Sequence, residues 1–405
     1  MSDVPRLPVH QHHPPAGPDR SGRPARAVSA ADVVSAVSPV SAAAGALEPY
    51  DGILLLSFGG PEEPADVLPF LRRVTAGRAV PEERLAEVGA HYQLFGGRSP
   101  INDQNRALIA ALRAELGARG LGTPVLWANR NYPPFVADAL READVLGLRR
   151  LVTVLTSPYS SYSSCRQYRE DLAAGATLAR DEGVVVAVDK VGPYAGRRAL
   201  AATNARLVTD AVATLDGVPD VGLALLFVTH SIPVGMDETS GPGDGEGNLY
   251  RRQHLAIAAT VTGEVNAALG RELVGELVFC SRSGPPDQPW LEPDVNDRLR
   301  ELAGQHVGTV VVVPVGFVSD HMEVVYDIDT EAAATAEQLG LRLLRVPTVG
   351  TDAGFVSGLV DLVVERAAEA RGELVPQGPG VRPSVCPPGC CPNLRAFTPA
   401  LCGSD

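Results

Sequence analysis

From about Tyr50 to Ala370 short apolar runs alternate with longer amphipathic stretches, the pattern of a parallel α/β sheet. The clearest run is Thr309-Val310-Val311-Val312-Val313-Pro314-Val315, almost wholly β-branched and too short for a stable helix. It reads as a strand covered on both faces. Similar runs predict strands from Asp51 to Phe58, Pro124 to Ala128, Arg150 to Thr156, Gly183 to Val191, Val221 to Thr229 and Glu276 to Cys280. Helical periodicity fills spaces between them, as from Pro64 to Val74, Asp103 to Leu116 and Arg197 to Leu215.

After Val315 the character changes. Gly316 to Glu331 opens a predicted helix with Ser319 or Asp320 as N-cap, and Gly340 stops it. Glu323, Asp327 and Glu331 recur at every fourth residue, so one helical face carries three carboxylates, at a cost of a few tenths (~0.3) of a kcal/mol per pair. A solvated acidic face is the plain explanation. Position favours another, because ligands of open parallel sheets gather beyond the carboxyl ends of the strands, where His321 and Glu323 fall. The run Val221 to Thr229 likewise stops at His230-Ser231-Ile232-Pro233, so an imidazole and a carboxylate are expected at two strand ends of one lobe. A site that handles a cation is the reading this supports.

Composition narrows the classes. The chain has 405 residues, 45% of them apolar and 20% charged, enough for a large core in two lobes. No apolar run approaches a membrane span, so a soluble protein with no integral membrane segment is expected. A net charge of -13 and the lack of a Lys/Arg cluster argue against nucleic acid as partner. Lysine is almost absent and arginine carries the positive charge. Six cysteines, four of them in the last 20 residues, do not form a secreted disulfide pattern, and a cytoplasmic location is expected.

Residues 1–48 are rich in Pro, Ala, Ser and Arg and are expected to be a disordered extension, with His10, His12 and His13 solvated. A first α/β lobe is expected over residues 49–215, a second over 216–375, and a Cys-rich tail over 376–405. Gly59-Gly60 follows the first strand without a dinucleotide or Walker pattern. Phe95 to Asn102 is a Gly-Pro loop, and Ser157 to Tyr168 crowds hydroxyls and aromatics after a strand, which suits a flat, polar-edged ligand. Asp237 to Asn248 is a Gly-rich loop placed to cover a cleft. In the tail, Cys386-Pro387-Pro388-Gly389-Cys390-Cys391 holds thiols close together on rigid prolines. That spacing leaves three readings open: an iron-sulfur cluster completed by Cys165 or Cys402, a zinc site, or unligated thiols.

Leu54 to Pro61, Phe95 to Pro100, Val228 to Pro233, Pro289 to Asp294 and Pro314 to Asp329 together resemble the ferrochelatases, enzymes that insert ferrous iron into a porphyrin. The resemblance implies two Rossmann-like lobes, the chelatase fold, with the porphyrin between them. It implies that His230 and Glu323 form the metal site for Fe2+, as proton acceptor or ligand, that Asp327 and Glu331 continue a line of acids, and that Ser99 and Tyr168 contact the porphyrin rim. Arg98 and Asn102 are further candidates for its propionates. It implies that Cys165, with Cys386, Cys390 and Cys391, holds a [2Fe-2S] cluster, with Cys402 as a substitute. Phe58 stands where some relatives carry a tyrosine. Without a C-terminal anchor the chain looks like the soluble Gram-positive-type branch, whose substrate is coproporphyrin III and whose product a haem synthase decarboxylates.

Overall fold

The computed structural model describes residues 45–77, 80–215, 217–242, 247–284, 287–374, 377–378 and 380–404. The expected extension over residues 1–48, with its three histidines, lies as far as residue 44 outside the described residues. The described residues form one compact unit built on two four-stranded sheets, all of whose pairings are parallel.

The first sheet contains β1 (Gly52–Ser57), β2 (Val125–Asn129), β3 (Arg150–Leu155) and β4 (Ala187–Lys190), in the order β2-β1-β3-β4. The second contains β5 (Leu223–His230), β6 (Gly275–Cys280), β7 (Thr309–Val313) and β8 (Arg342–Arg345), in the order β6-β5-β7-β8. The same order in both means that each lobe reverses direction between its first and third strands. A crevice opens there, at the carboxyl ends of β1 and β3 in one lobe and of β5 and β7 in the other. The apolar runs form the buried strands for the expected reason: Leu54, Leu226 and Val312 are covered by helices on both sides.

The lobes share one core. Leu55 and Val154 of the first sheet, Phe227 and Val313 of the second, and Leu359 and Val363 of the helix Ala353–Ala370 belong to a single apolar cluster. Arg119, which caps the helix Ile101–Ala118, pairs with Asp361 at 2.5 Å, and Arg197 pairs with Glu365 of the same last helix. That helix therefore returns from the second sheet to clamp the first, which holds the two crevices in a fixed relation.

The helix expected over Gly316 to Gly340 is corrected in two respects. It begins only at Met322, with His321 in extended backbone ahead of it, and residues 327–332 form a π-helical turn before the α-helix resumes at Ala333–Gln338. Neither proposed cap serves. Arg345 and Gln104 occupy the Asp320 carboxylate, and the buried Ser319 hydroxyl has no hydrogen-bond partner among the described residues. Gly340 does end the element, at φ 69°.

Gly316 shows how tightly β5 and β7 approach. A Cβ there would lie 2.1 Å from Thr229 Oγ1 and 2.7 Å from its Cα, and the Gly316 N–H donates to the Val228 carbonyl at 3.1 Å. Gly316→Ala should destabilise the fold by about 1–3 kcal/mol, the ordinary cost of overpacking. Urea denaturation checks this, and an unchanged midpoint would show that the strand ends can separate freely.

Candidate functional site

β5 runs on past its last pairing with β7, Phe227 opposite Val313, and ends at His230 opposite Cys280 of β6. The chain leaving β7 turns through Gly316 and reaches Glu323 in the first turn of the short helix Met322–Tyr326. His230 Nε2 and Glu323 Oε2 consequently stand 3.6 Å apart, and His321 Nδ1 lies 3.7 Å from the same oxygen. The two residues expected at separate strand ends do meet, at the switch point of the second sheet. Both are partly open, with 31% of the His230 and 48% of the Glu323 side chain exposed, so a large ligand can reach them.

The surroundings fix which nitrogen of His230 is available. Its Nδ1 hydrogen-bonds the Ser231 carbonyl, and a carbonyl only accepts, so Nδ1 carries the proton. In the neutral ring the Nε2 lone pair then points at a carboxylate. Two lone-pair donors 3.6 Å apart attract each other only through a proton or a metal cation between them. Behind them the Tyr250 hydroxyl donates to the His230 carbonyl at 2.9 Å. His254, lowered to about 3 by burial and hence neutral, donates from Nδ1 to the Tyr250 carbonyl and accepts from the Thr229 hydroxyl. Tyr159 of the first lobe stacks on His254 at 3.6 Å and donates to the Val315 carbonyl at 2.7 Å, tying the ends of β5 and β7 together.

The acidic stripe is resolved differently from a solvated face. The π turn rotates Asp327 inward, where the hydroxyl of Ser281 donates to it, while Glu331 remains exposed and bonds the Tyr326 hydroxyl. Burial, and then the like charges of Glu323 and Glu331, raise Asp327 to about 7. Protonation of one member, not a basic residue, relieves the repulsion. Arg345 pairs instead with Asp320 and Asp329. Ser281 was not apparent from the sequence; it holds φ 62° at the end of β6, a left-handed conformation unusual for a residue with a side chain.

The first lobe faces this site with an apolar wall. Tyr92 and Met322 pack in one cluster with Phe70, and Phe58, Phe95, Tyr132 and Tyr326 border it. His91 stacks flat on Tyr326 at 3.8 Å across the two lobes. The helix Glu82–Gln93 that supplies His91 and Tyr92 was missed, although Leu85, Val88 and Tyr92 recur at helical spacing.

Ser99 and Tyr168 lie deeper than a rim contact requires. Ser99 is 3% exposed, fills the space beside Gly60, and donates its N–H to the Pro61 carbonyl at 2.9 Å. Tyr168, 4% exposed, lies under the Arg130 guanidinium, which is 4.5 Å from its ring and paired with Asp171. Asn102 is buried and holds the Gly60 carbonyl and Glu62, and Arg98 pairs with Asp103.

The tail cysteines meet the body of the protein at a second place. The thiols of Cys165, Cys386, Cys390 and Cys391 follow one another in hydrogen-bonding succession. Hydrogen bonds from Cys165 and Cys390 hold Cys386 well below the usual thiol range, and the bond to Cys386 pushes Cys165 up. The Gly-rich loop expected over a cleft instead binds the tail: Gly241 N–H donates to Cys391 Sγ at 3.2 Å, and the Cys391 N–H donates to the Gly241 carbonyl. Cys402 stands apart, donating to the Val188 carbonyl at 3.5 Å and raised to about 11 by burial. Among the described residues no three His, Cys, Asp or Glu side chains form a ready-made site for one metal ion.

An imidazole and a carboxylate thus stand at a switch point with a buried acid behind them and an aromatic wall in front, and the chain, like its relatives, is a metal chelatase, a lyase. Residues 50–367 match the family model described as Ferrochelatase. The chain belongs to the ferrochelatase family. It is 50% identical over 372 residues to the coproporphyrin III ferrochelatase of Leifsonia xyli subsp. xyli (strain CTCB07), covering 87% of this chain and 94% of that one. To the coproporphyrin III ferrochelatase of Streptomyces griseus subsp. griseus it is 49% identical over 367 residues, covering 88% and 97%. The solved sirohydrochlorin chelatase SirB of Bacillus subtilis subspecies spizizenii, in complex with cobalt, aligns with 80% of this chain and 97% of its own at TM-score 0.47 and 12% identity. Among the described residues no helix is long and apolar enough to cross a membrane.

Proposed function

We propose that this chain inserts Fe2+ into coproporphyrin III and releases Fe-coproporphyrin III and two protons. The observation that carries the substrate is the name borne by relatives 45–50% identical over most of the chain. In this reading the macrocycle lies against the wall of Phe58, Tyr92 and Tyr326, with its pyrrole nitrogens toward His230. The Nε2 lone pair of His230 accepts a pyrrole proton, and Glu323 is the hard-oxygen partner that meets the incoming iron. Asp327 and then Glu331 lead protons away. Ser99 and Tyr168 act on the substrate from beneath the rim: Ser99 sets the turn at Gly60 and Pro61, and Tyr168 supports Arg130. Protoporphyrin IX is the competing substrate. Side-by-side anaerobic assays with ferrous iron and either porphyrin decide, with the coproporphyrin kcat/KM expected to be about tenfold higher or more, a modest preference for a site reading extra polar groups. Preference for protoporphyrin IX would overturn the assignment.

The reading extends to a [2Fe-2S] cluster held by Cys165, Cys386, Cys390 and Cys391. Four thiols adjoining pair by pair suit a centre in which each iron takes two cysteines, and an N–H donor on the Cys391 sulfur suits a thiolate ligand. Bound, the cluster would supply one-electron chemistry. Cys386→Ser should abolish visible cluster absorbance in the purified protein. Unchanged colour would remove Cys386 from the ligand set. A cytoplasmic enzyme whose product passes to a haem synthase completes the proposal.

A further inference from the structure

All but one of the 35 positively charged side chains of this protein are arginines. The exception is Lys190, the last residue of β4, and it is 1% exposed. A composition that replaces lysine so thoroughly keeps it at one enclosed position.

What surrounds it is unusual for a buried ammonium. Among the described residues its Nζ donates one hydrogen bond, to the Val191 carbonyl at 3.3 Å, and pairs with no carboxylate. The adjacent Asp189 is engaged by Tyr50, Arg150 and Arg366. The groups that act on Lys190 electrostatically are the thiols of Cys386, Cys165 and Cys402, with Arg169 as a neighbouring cation. A void of about 10 Å³ lined by Cys165, Lys190, Ser157 and Tyr194 adjoins them, room for a single water. An unpaired buried cation is costly, so a fold that retains one has an anion in view.

We propose that Lys190 is the fixed counter-charge of the thiolate cluster, placed beside Cys165 and Cys386 so that the reduced, more negative state of the bound centre is stabilised. The inference rests on the cluster reading above and goes beyond it by assigning the residue that sets the potential. An iron-sulfur centre on four thiolates is anionic, and one-electron reduction deepens the charge; a buried cation near two of its ligands therefore raises the midpoint potential. β4 brings the ammonium to this place because Thr153 of β3 pairs with Lys190, and the chain leaving β3 at Leu155 carries Cys165 in the helical turn Tyr162–Arg166. The tail closes the other side, through the Cys386 N–H to the Cys402 carbonyl.

The test uses the full-length protein purified anaerobically with its cluster, and compares wild type with Lys190→Met and Lys190→Arg. Methionine matches the length of lysine without charge, and the ammonium makes one hydrogen bond among the described residues, so the strand pairing of β4 does not depend on it. Absorbance and iron content report assembly, and a redox titration followed by electron paramagnetic resonance reports the midpoint. The expected result is an assembled cluster in Lys190→Met whose reduced-to-oxidised ratio at a given ambient potential falls at least about tenfold, a negative shift of about 59 mV for a one-electron couple. Lys190→Arg should keep the midpoint near that of wild type. An intact cluster with an unmoved midpoint in Lys190→Met overturns the proposal. If Lys190→Met folds without a cluster, restoration by Lys190→Arg supports it and failure to restore overturns it. A colourless wild type would instead refute the cluster, and the counter-charge with it.

Discussion

His230→Ala is expected to lower the rate of iron insertion by about 10²–10⁴-fold, the usual contribution of a positioned proton acceptor, while porphyrin affinity changes little. The separation of the two effects follows from position. His230 ends β5 with its Nδ1 committed to the Ser231 carbonyl and its Nε2 facing Glu323, so its loss removes the lone pair aimed at the reacting centre. The wall that would hold the macrocycle is built from other residues, Phe58, Tyr92 and Tyr326 among them. Truncation should also leave the fold intact. The backbone of residues 230 and 231 stays fixed by Tyr250, by the Ser231 N–H to Cys280 and by the Ser231 hydroxyl to Leu291, bonds that do not need the imidazole. Porphyrin fluorescence quenching measures binding and anaerobic absorbance measures insertion. Retention of near-normal turnover would take His230 out of the chemistry, and loss of porphyrin affinity in step with turnover would make it a binding residue.

Much of this site was legible in the sequence because strand ends are legible. A β-branched run that stops at a polar residue fixes where a sheet opens, and parallel order then puts such ends together; His230 and Glu323 follow from those two rules. The tail thiols stood out for a different reason, their close spacing, which left several outcomes open, and it was the family resemblance that joined Cys165 to them. What escaped depends on three-dimensional packing. The start of the helix at Met322 was decided by Arg345 and Gln104 taking Asp320, partners that stand 25 and 216 positions away. The burial of Ser99 and Tyr168 is equally a matter of what lies over them, Gly60 in one case and Arg130 in the other. The regular fourfold spacing of the acids predicted a common face, and a π turn, which leaves little trace in composition, rotated Asp327 toward Ser281.

That rotation makes Asp327→Asn the most informative change in the acid line. The folded protein raises Asp327 from the usual 3.8 to about 7, first by burial and then by the charges of Glu323 and Glu331. A carboxyl with a raised folded value favours folding while protonated. Its contribution is fully present below the unfolded value and is lost as pH rises through about 7, because the folded state then has to ionise a buried group. Asparagine keeps the hydrogen-bonding shape and cannot ionise. The variant should therefore match wild type in unfolding midpoint near pH 4 and exceed it above pH 7, with the gap opening between those limits. Activity should move the other way. If Asp327 takes protons from His230, the wild-type rate rises through pH 7 as the carboxyl ionises, and Asp327→Asn loses that rise and about 10–100-fold in rate, the usual penalty for removing a group that supports a metal site. Thermal melts and rate profiles over the same pH series test both halves. A stability difference that stays constant from pH 4 to 8 would mean that Asp327 ionises as freely in the folded chain as in the unfolded one, and the acid line would then have to run from Glu323 to solvent directly.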